Sequence, residues 1–180
     1  MFPRKTALKF GAAAIALLLA GCASSSVVKS NKLAGYNGEV KRMFVEASLG
    51  TALLNKASGD ETAVFTSTMN NVLNSCGTQI QIHLKDPLDL NDKPGELIKQ
   101  FGPDSILQIT WQNERTGTNV PTTTVYGLSL FDVKAKKIVW KAQVEFTSRW
   151  SAGTVLASSI LDKMKQDGLI DASCVIPVVK

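Results

Sequence analysis

Residues 104–150 are the most constraining stretch of the sequence, because apolar and polar side chains alternate along it with no helical pattern in between. This pattern predicts three strands, over residues 104–116, 120–133 and 138–150. Consecutive strands joined by short turns pair in the antiparallel direction, so we expect a three-stranded antiparallel meander. The alternation is strongest in the third strand, whose apolar positions are Ile138, Trp140, Ala142, Val144 and Phe146.

Strand and helix patterns alternate on either side of this meander. Two further strands are predicted over residues 40–49 and 78–85, with helices over residues 60–76, 94–101 and 152–167. The longer upstream helix has one apolar stripe, which consists of Phe65, Met69, Val72, Leu73 and Cys76.

The predicted element order is therefore β-α-β-α-β-β-β-α. Helical crossovers make the first three strands parallel neighbours with right-handed connections. We expect an α/β (α+β) fold with a single mixed β-sheet and the helices packed on it.

The N-terminus combines a basic start, a short apolar segment and a cysteine. Its apolar segment spans about 11 residues, whereas a membrane-spanning helix needs ~20. It ends in Leu-Ala-Gly-Cys at positions 19–22, which resembles the lipobox of bacterial lipoprotein signal peptides. The resemblance implies cleavage before Cys22, a diacylglycerol thioether on its thiol and an acylated amine, commonly with palmitate. The alternatives are an uncleaved membrane anchor and an ordinary signal peptide followed by a free thiol.

This resemblance divides the chain into a signal peptide (1–21), a lipidated flexible tether (22–38) and a single periplasmic domain (39–180). About 15 flexible residues would span a root-mean-square ~20 Å, and multiple acyl chains anchor a protein stably. Ala23, rather than Asp, follows Cys22. By resemblance to enteric lipoproteins, that favours the outer over the inner membrane, with the domain facing the periplasm.

Charge gives little support for a nucleic-acid partner. The whole chain has a formal net charge of +5, from 20 basic and 15 acidic residues. Loss of residues 1–21 removes three basic residues and leaves a net charge of +2. The one tight basic group, Lys134, Lys136 and Lys137, is typical of a solvated hairpin tip.

The cysteine count favours a disulfide. If Cys22 carries lipid, Cys76 and Cys174 remain in an oxidising compartment, where they are expected to form a disulfide. Two buried free thiols are the alternative.

Catalytic patterns are missing from the sequence. His83 is the single histidine, and no metal-binding, phosphate-loop or Gly-x-Ser-x-Gly motif occurs. We therefore expect no catalytic residue, no metal and no cofactor, with His83 as a surface or packing residue. The absence of these motifs does not exclude a hydrolase whose catalytic carboxylates are distant in sequence, since such pairs have no fixed spacing.

Four side chains near predicted strand ends are candidates for binding a partner: Trp111, Arg115, Arg149 and Trp150. Tryptophan and arginine are favoured anchors of protein interfaces. The alternative is that both tryptophans belong to the core. The polar segment 113–124 between the first two meander strands is interpreted as either a long mobile loop or a solvated turn.

Residues 132–140, Asp-Val-Lys-Ala-Lys-Lys-Ile-Val-Trp, combine an acidic strand end, a lysine-rich turn and a strand ending in Val-Trp. With the element order, they resemble small periplasmic lipoprotein domains over residues 40–168. These include peptidoglycan-synthase activators, the periplasmic part of the curli secretion channel and the N-terminal domain of the Tol-system propeller protein. The resemblance implies a hairpin and carries over no functional residue. No second domain or channel-forming hairpin is predicted, which argues against a pore.

We therefore expect a membrane-anchored envelope lipoprotein that is not an enzyme. Its expected role is a binding or assembly module for another periplasmic or outer-membrane component, either an envelope protein complex or the cell wall. One alternative is a lipoprotein that binds a small ligand or a cell-wall fragment. The other is a cell-envelope hydrolase.

Overall fold

The computed structural model describes residues 25–50, 60–86, 88–117, 120–147 and 151–178. The strands within these ranges are β1 (Ser25–Lys32), β2 (Arg42–Ser48), β3 (Gln79–Leu84), β4 (Ser105–Gly117), β5 (Val120–Asp132) and β6 (Lys137–Thr147). The helices are α1 (Glu61–Ser75), α2 (Pro94–Phe101) and α3 (Ala152–Gln166). No helix in the described part of the chain is long and apolar enough to cross a membrane.

All six strands form one mixed sheet in the order β1-β6-β5-β4-β2-β3. β2 runs parallel to both β3 and β4, and the remaining neighbours are antiparallel. These pairings confirm the single mixed sheet, the parallel arrangement of the three early strands and the antiparallel meander.

The prediction of a flexible tether over residues 22–38 is wrong for Ser25–Lys32, which form β1 and pair antiparallel with β6. The element order therefore begins with one more strand than expected. β1 lacks a strong apolar alternation because it is an edge strand, held by main-chain bonds and by polar contacts of its serine and lysine side chains. Val28 packs against the core.

Helices α1 and α3 pack against each other and against one face of the sheet. Apolar side chains from β2, β4, β5 and β6 point into this layer, and the stripe predicted for α1 faces them. The largest fully buried side chains of the layer include Trp140, Tyr126, Phe65, Met69 and Leu156.

Helix α2 lies on the opposite face, over the β2 side of the sheet. Phe44 alternates with inward-facing neighbours on β2, so its ring points to the α2 side and lies 6.4 Å from the Phe101 ring. The Arg42 guanidinium sits 4.5 Å from the same Phe101 ring. Leu97, Ile98 and Phe101 of this helix are half-buried.

Helix ends follow the expected chemistry. Asp60 caps α1 by accepting a hydrogen bond from the Ala63 N–H at 3.0 Å. Gly102 follows α2 with φ +60°, and Gly168 follows α3 with φ +67°. Both glycines adopt the left-handed conformation that ends helices.

A register shift between β5 and β6 changes the alternation at the start of β6. Leu130 pairs with Trp140 but Phe131 pairs with Ile138, which makes Val139 the extra residue of a β-bulge. Val139 and Trp140 are consequently both buried, while Ile138 is 45% exposed. The prediction that Ile138 lies on the apolar face is therefore wrong.

Candidate functional site

Three of the predicted functional residues lie outside the described residues: Cys22, Arg149 and Trp150. Trp111 and Arg115 both lie on β4, but the structure does not bring them together. Trp111 pairs with Tyr126 on the face that α1 and α3 cover, where it is half-buried and packs against Gly50. A register shift after Trp111 turns the exposed Arg115 to the opposite face.

The polar segment between β4 and β5 is not a loop over most of its length. Strand pairing continues out to Glu114 with Thr124 and Gly117 with Val120. β2 stops pairing with β4 at Thr110, so the β4–β5 hairpin extends past the parallel half of the sheet. On its other side, β5 keeps pairing with β6 as far as Thr123 with Thr147, so only the tip of the hairpin beyond this pair is two-stranded; we call this tip the arm.

Cys76 and Cys174 form the predicted disulfide, with their Cα atoms 5.0 Å apart. The bond joins the end of α1 to the C-terminal segment across 98 positions of sequence. Lys165 reinforces this junction by donating a hydrogen bond to the Cys174 carbonyl oxygen at 2.8 Å. The disulfide thus fastens the segment after α3 to the helical layer.

Asp167, just after α3, connects that helix to β1 and β6. Its Oδ2 accepts hydrogen bonds from Ser30 Oγ at 2.6 Å and Trp140 Nε1 at 2.7 Å. Its Oδ1 lies 3.0 Å from Lys163 Nζ, and its backbone carbonyl accepts a bond from Lys32. Burial alone would raise the pKa of Asp167, but these hydrogen bonds and the Lys163 charge outweigh it and lower the pKa below its ordinary value.

Asp132 stabilises the β5–β6 hairpin, which the pattern of residues 132–140 predicts. Its Oδ1 accepts a hydrogen bond from the Ala135 N–H at 2.7 Å, and its Oδ2 accepts one from the Tyr36 hydroxyl at 2.9 Å. The Ala135 bond is the main cause that lowers the pKa of Asp132, with Tyr36 contributing against the opposing effect of burial. The lysines of the turn, Lys134, Lys136 and Lys137, are exposed.

His83 is a packing residue of the β3 edge. Its Nε2 lies 2.8 Å from Asp92 Oδ1, in the loop before α2, and its ring stacks at 6.4 Å on Phe44. Both partners of the His83–Asp92 contact are mostly buried, with side chains 17% and 13% exposed. The contact fastens the 85–93 loop to the sheet.

The sheet face opposite α1 and α3 carries a row of polar side chains that crosses every strand. Register makes each member the cross-strand neighbour of the next. Gln108 is its centre, donating to Glu46 at 3.2 Å and accepting from Ser129 at 3.3 Å. We call this set the polar row; it consists of His83, Glu46, Gln108, Ser129, Lys141 and Asn31.

Sequence reasoning missed the polar row, although each member occupies a polar position of an alternating strand. The row is defined by the register between neighbouring strands. The alternation of polar and apolar residues within one strand carries no information about that register. Gln112 and Gln143 extend the polar surface, bonded at 3.1 Å, and Gln112 lies over Gly127, which has no side chain to displace it. The result is an amide-rich β-surface that is open over β4, β5 and β6, whereas α2 and the 85–93 loop lie over β2 and β3.

A pocket of about 300 Å³ lies between β1, α3 and the C-terminal segment. Its lining mixes hydroxyl and apolar groups, with Ser158 and Ser159 beside Val155 and Ile176. The Ser158 hydroxyl is buried and has no hydrogen-bond partner among the described residues. Within those residues, no group of three or more histidine, cysteine or acidic side chains is placed to hold a metal ion.

Strand directions bring six strand termini to one end of the sheet. β2, β3, β4 and β6 run towards this end, and β1 and β5 start from it. Ser25, the first residue of β1, comes three positions after Cys22, so at most about 11 Å of extended chain separates them. We call this the Ser25 end; it also carries Ser48, Leu84, Gly117, Val120 and Thr147.

Comparison with known proteins gives structural neighbours alone. No protein-family model matches the chain, and no curated protein sequence matches it. A dodecamer of PelC from Paraburkholderia phytofirmans superposes with a TM-score of 0.50 at 17% identity, covering 82% of this chain and 100% of the PelC chain. The shared feature at this identity is the fold.

Two further solved structures are similar at lower scores. A second crystal form of the PelC dodecamer gives a TM-score of 0.48 at 18% identity, covering 82% of this chain and 99% of that one. The lipoprotein GNA1162 from Neisseria meningitidis gives 0.39 at 17% identity, covering 69% of this chain and 98% of that one.

Proposed function

We propose that the mature protein is a lipid-anchored envelope lipoprotein that acts without catalysis as an assembly module, held at the periplasmic face of the outer membrane through Cys22. The observation that carries the proposal is the position of β1. Cys22, whose sequence context resembles that of a lipidated cysteine, lies three positions before the first strand of the sheet, with no long linker between them.

The assembly role draws support from the surface of the domain. The polar row gives an open sheet face many hydrogen-bond donors and acceptors, and interfaces that form and dissociate are polar as well as apolar. The β4–β5 arm adds a protruding element next to this face. We propose the polar row and the arm as the contact surface for a protein partner of the envelope.

A further copy of the same chain is the first partner to test. PelC, which has a similar fold, was solved as a dodecamer. A domain held at one membrane by its N-terminus meets other copies in the same orientation, which favours closed rings.

A non-catalytic role is consistent with how the single histidine is used. His83 is paired with Asp92 and stacked on Phe44, so its ring holds the β3 edge and the following loop. Incubation of the purified protein with peptidoglycan tests this point, since turnover would establish a hydrolase instead.

Anchoring is tested with two substitutions next to the cleavage site. Intact-mass analysis of the protein from native membranes should show a chain that starts at Cys22 and carries acyl groups. Cys22→Ser should leave the protein unacylated and outside the membrane fraction. Ala23→Asp is the matched control, since it keeps the acylated cysteine and, under the enteric rule, moves the protein to the inner membrane.

Assembly is tested by photo-crosslinking in native membranes. A photoreactive amino acid at Gln108 should capture a partner, which mass spectrometry then identifies as the same chain or another envelope protein. The same group at Asn71, an exposed position of α1, is the control. Equal capture from both positions would argue against the polar row as the contact surface.

The pocket between β1, α3 and the C-terminal segment supports a second candidate function, the binding of a small ligand or a cell-wall fragment. The unpaired, buried Ser158 hydroxyl is the specific observation that favours it. Titration calorimetry with soluble peptidoglycan fragments should then detect binding that Ser158→Ala weakens.

A further inference from the structure

We infer that the uncovered half of the sheet face opposite α1 and α3 binds an amphipathic, acidic helix of another envelope protein. The helix would place apolar side chains on Ile138 and its neighbours and carboxylates against the surrounding lysines. The inference deepens the assembly role proposed above and rests on it. It adds the chemistry of the partner, which the polar row alone does not specify.

Apolar side chains from four neighbouring segments meet on this face beside the polar row. Strand register aligns Ile106, Phe131 and Ile138 across β4, β5 and β6. The Leu33 N–H bonds to a β6 carbonyl oxygen at 2.8 Å, one position beyond the last β1–β6 pair, which brings Leu33 alongside the start of β6. We call this set the Ile138 patch; it consists of Leu33, Ile106, Phe131, Val133 and Ile138.

The Ile138 patch is exposed although its members are apolar. Ile138 is 45% exposed, Leu33 41% and Val133 37%, whereas Phe131 and Ile106 are half-buried. Adjacent exposed apolar side chains with a polar rim mark sites of interaction on soluble domains. Contact with a partner would remove this surface from water.

The patch continues a layer that α2 already covers at one end. Phe44 pairs with Ile106 and lies 6.4 Å from Phe101 of α2, ring to ring. The strands β5, β6 and β1 remain beyond α2, which at ~4.8 Å per strand is a width of about 14 Å. A helix with its side chains is about 10–12 Å across, so one partner helix beside α2 would complete the layer.

The charge around the patch selects the partner. Segment 129–141 has one acid, Asp132, and four exposed lysines: Lys134, Lys136, Lys137 and Lys141. Asp132 uses both carboxylate oxygens in hydrogen bonds within the protein. Lys141 is the next residue of β6 after Ile138 that faces the open side of the sheet. Carboxylates along the edge of a partner helix would complement these lysines.

The described helices of this chain do not offer such a face to a second copy. α2 has as many lysines as acids, and α3 has more lysines than acids. The one acid of α1, Glu61, bonds to the start of α3. The charge therefore favours a different protein over a further copy at this site.

Position disfavours the bilayer that would hold Cys22. Ile138 lies nine positions before Thr147 on β6, and Thr147 pairs with Ser25. At ~3.3 Å per residue the patch is roughly 25–30 Å from the Ser25 end. A partner protein can reach it there, whereas the anchoring membrane lies beyond the other end of the sheet.

The test is photo-crosslinking in native membranes with the full-length, acylated protein. Benzoylphenylalanine replaces Ile138, and mass spectrometry sequences the captured peptide. Val64 is the matched control, since it is 38% exposed on α1. We expect a peptide of another envelope protein with apolar residues at helical spacing and a net negative charge. Capture should be severalfold lower from Val64, and severalfold lower from Ile138 in a Lys136→Glu, Lys141→Glu background.

The captured peptide is then synthesised and titrated against the purified domain. Ile138→Ser should weaken binding by about tenfold and Val64→Ser should leave it unchanged. Lys141→Glu should weaken binding and steepen no salt dependence, whereas Lys141→Arg should retain it, because the lysine acts through its charge.

A captured lipid, a peptide of this same chain, or a neutral or basic peptide overturns the inference. Equal capture from Ile138 and Val64 also overturns it. Capture from Gln108 with none from Ile138 overturns the inference and leaves the assembly role intact. The absence of capture from both Gln108 and Ile138 overturns the assembly role, and this inference with it.

Discussion

Glu61 accepts a hydrogen bond from the Gly153 backbone N–H at 2.8 Å, so the first residue of α1 caps the start of α3. Ser151, at the N-cap position of α3, makes no side-chain capping bond, and the 7%-exposed Glu61 carboxylate takes its place. A negative charge at a helix N-terminus is stabilising, and here it comes from a neighbouring helix. The two helix starts are therefore joined into one unit.

This contact makes Gly153→Ala strongly destabilising. A Cβ at position 153 would lie 2.1 Å from the Glu61 carbonyl oxygen and 2.9 Å from the Phe65 nitrogen, and backbone atoms cannot rotate away. We expect a loss of about 1–3 kcal/mol in the free energy of unfolding, measured by urea denaturation. Gly95→Ala in α2 is the control, with nothing within 4 Å of its Cβ and an expected change of less than about 1 kcal/mol. Equal stability of the two variants would contradict the close helix contact.

Asp167 should make the domain sensitive to acid. Its pKa is lowered in the folded state, so its contribution is present above the ordinary aspartate pKa of about 3.9 and is lost as pH falls through the lower folded value. Asp167→Asn should cost about 1–3 kcal/mol at neutral pH and flatten the acid side of the stability curve. Asp162→Asn, an exposed position of α3, is the control. Parallel stability curves of Asp167→Asn and wild type below pH 5 would show that Asp167 does not carry this dependence.

The two tyrosines should resist ionisation in the folded protein. Burial, together with the Asp132 carboxylate, raises the pKa of Tyr36 to about 12. Burial also raises the pKa of Tyr126, whose hydroxyl donates to the Leu49 carbonyl at 2.6 Å. Phenolate absorbance should therefore stay low at pH 10 in the native state and rise near pH 10 in urea.

The raised pKa of Tyr36 makes the stability of the folded protein decrease at alkaline pH. The protonated phenol is favoured in the folded state, so its contribution is full below about pH 10 and is lost as pH rises from 10 towards 12. Tyr36→Phe should remove that part of the alkaline loss. A Tyr36 that titrates near pH 10 in the native protein would contradict the hydrogen bond to Asp132.

Loss of the disulfide should lower stability markedly. Cys76 and Cys174 close a loop of 98 positions, for which the chain-entropy estimate is about 4–5 kcal/mol. The double variant Cys76→Ser, Cys174→Ser should unfold at lower urea concentration and be indifferent to reductant. If reductant leaves the wild-type midpoint unchanged, the bond does not contribute as expected.

Much of this fold is encoded in patterns that a single strand or helix carries by itself. The alternation in β6 and the apolar stripe of α1 each reflect burial of one face, which periodicity reports directly. The start of α2 is marked by Pro94, whose fixed φ and missing N–H suit the first turn of a helix. The disulfide followed from the cysteine count and the compartment implied by the lipobox resemblance.

The features that sequence reasoning missed depend on contacts between distant elements. β1 carries few large apolar residues, and its place in the sheet depends on Ser30 and Lys32 meeting Asp167. The bulges at Gln112 and Val139 separate Trp111 from Arg115 and expose Ile138. The polar row exists only through register, so no segment read alone contains it.

The pairing of β1 with β6 also constrains the order in which the strands of the sheet can pair during folding. Ser25 pairs with Thr147 and Lys32 with Trp140. β1 can therefore pair only after β6, more than 100 residues later in the sequence, has been synthesised. Such non-local pairing is slow, because loop closure precedes any gain from contacts. Until it is complete, the edge of β6 is open to pairing with other chains. A chain that lacks β1 would therefore expose the edge of β6, which the complete fold covers with the shorter and more polar strand β1.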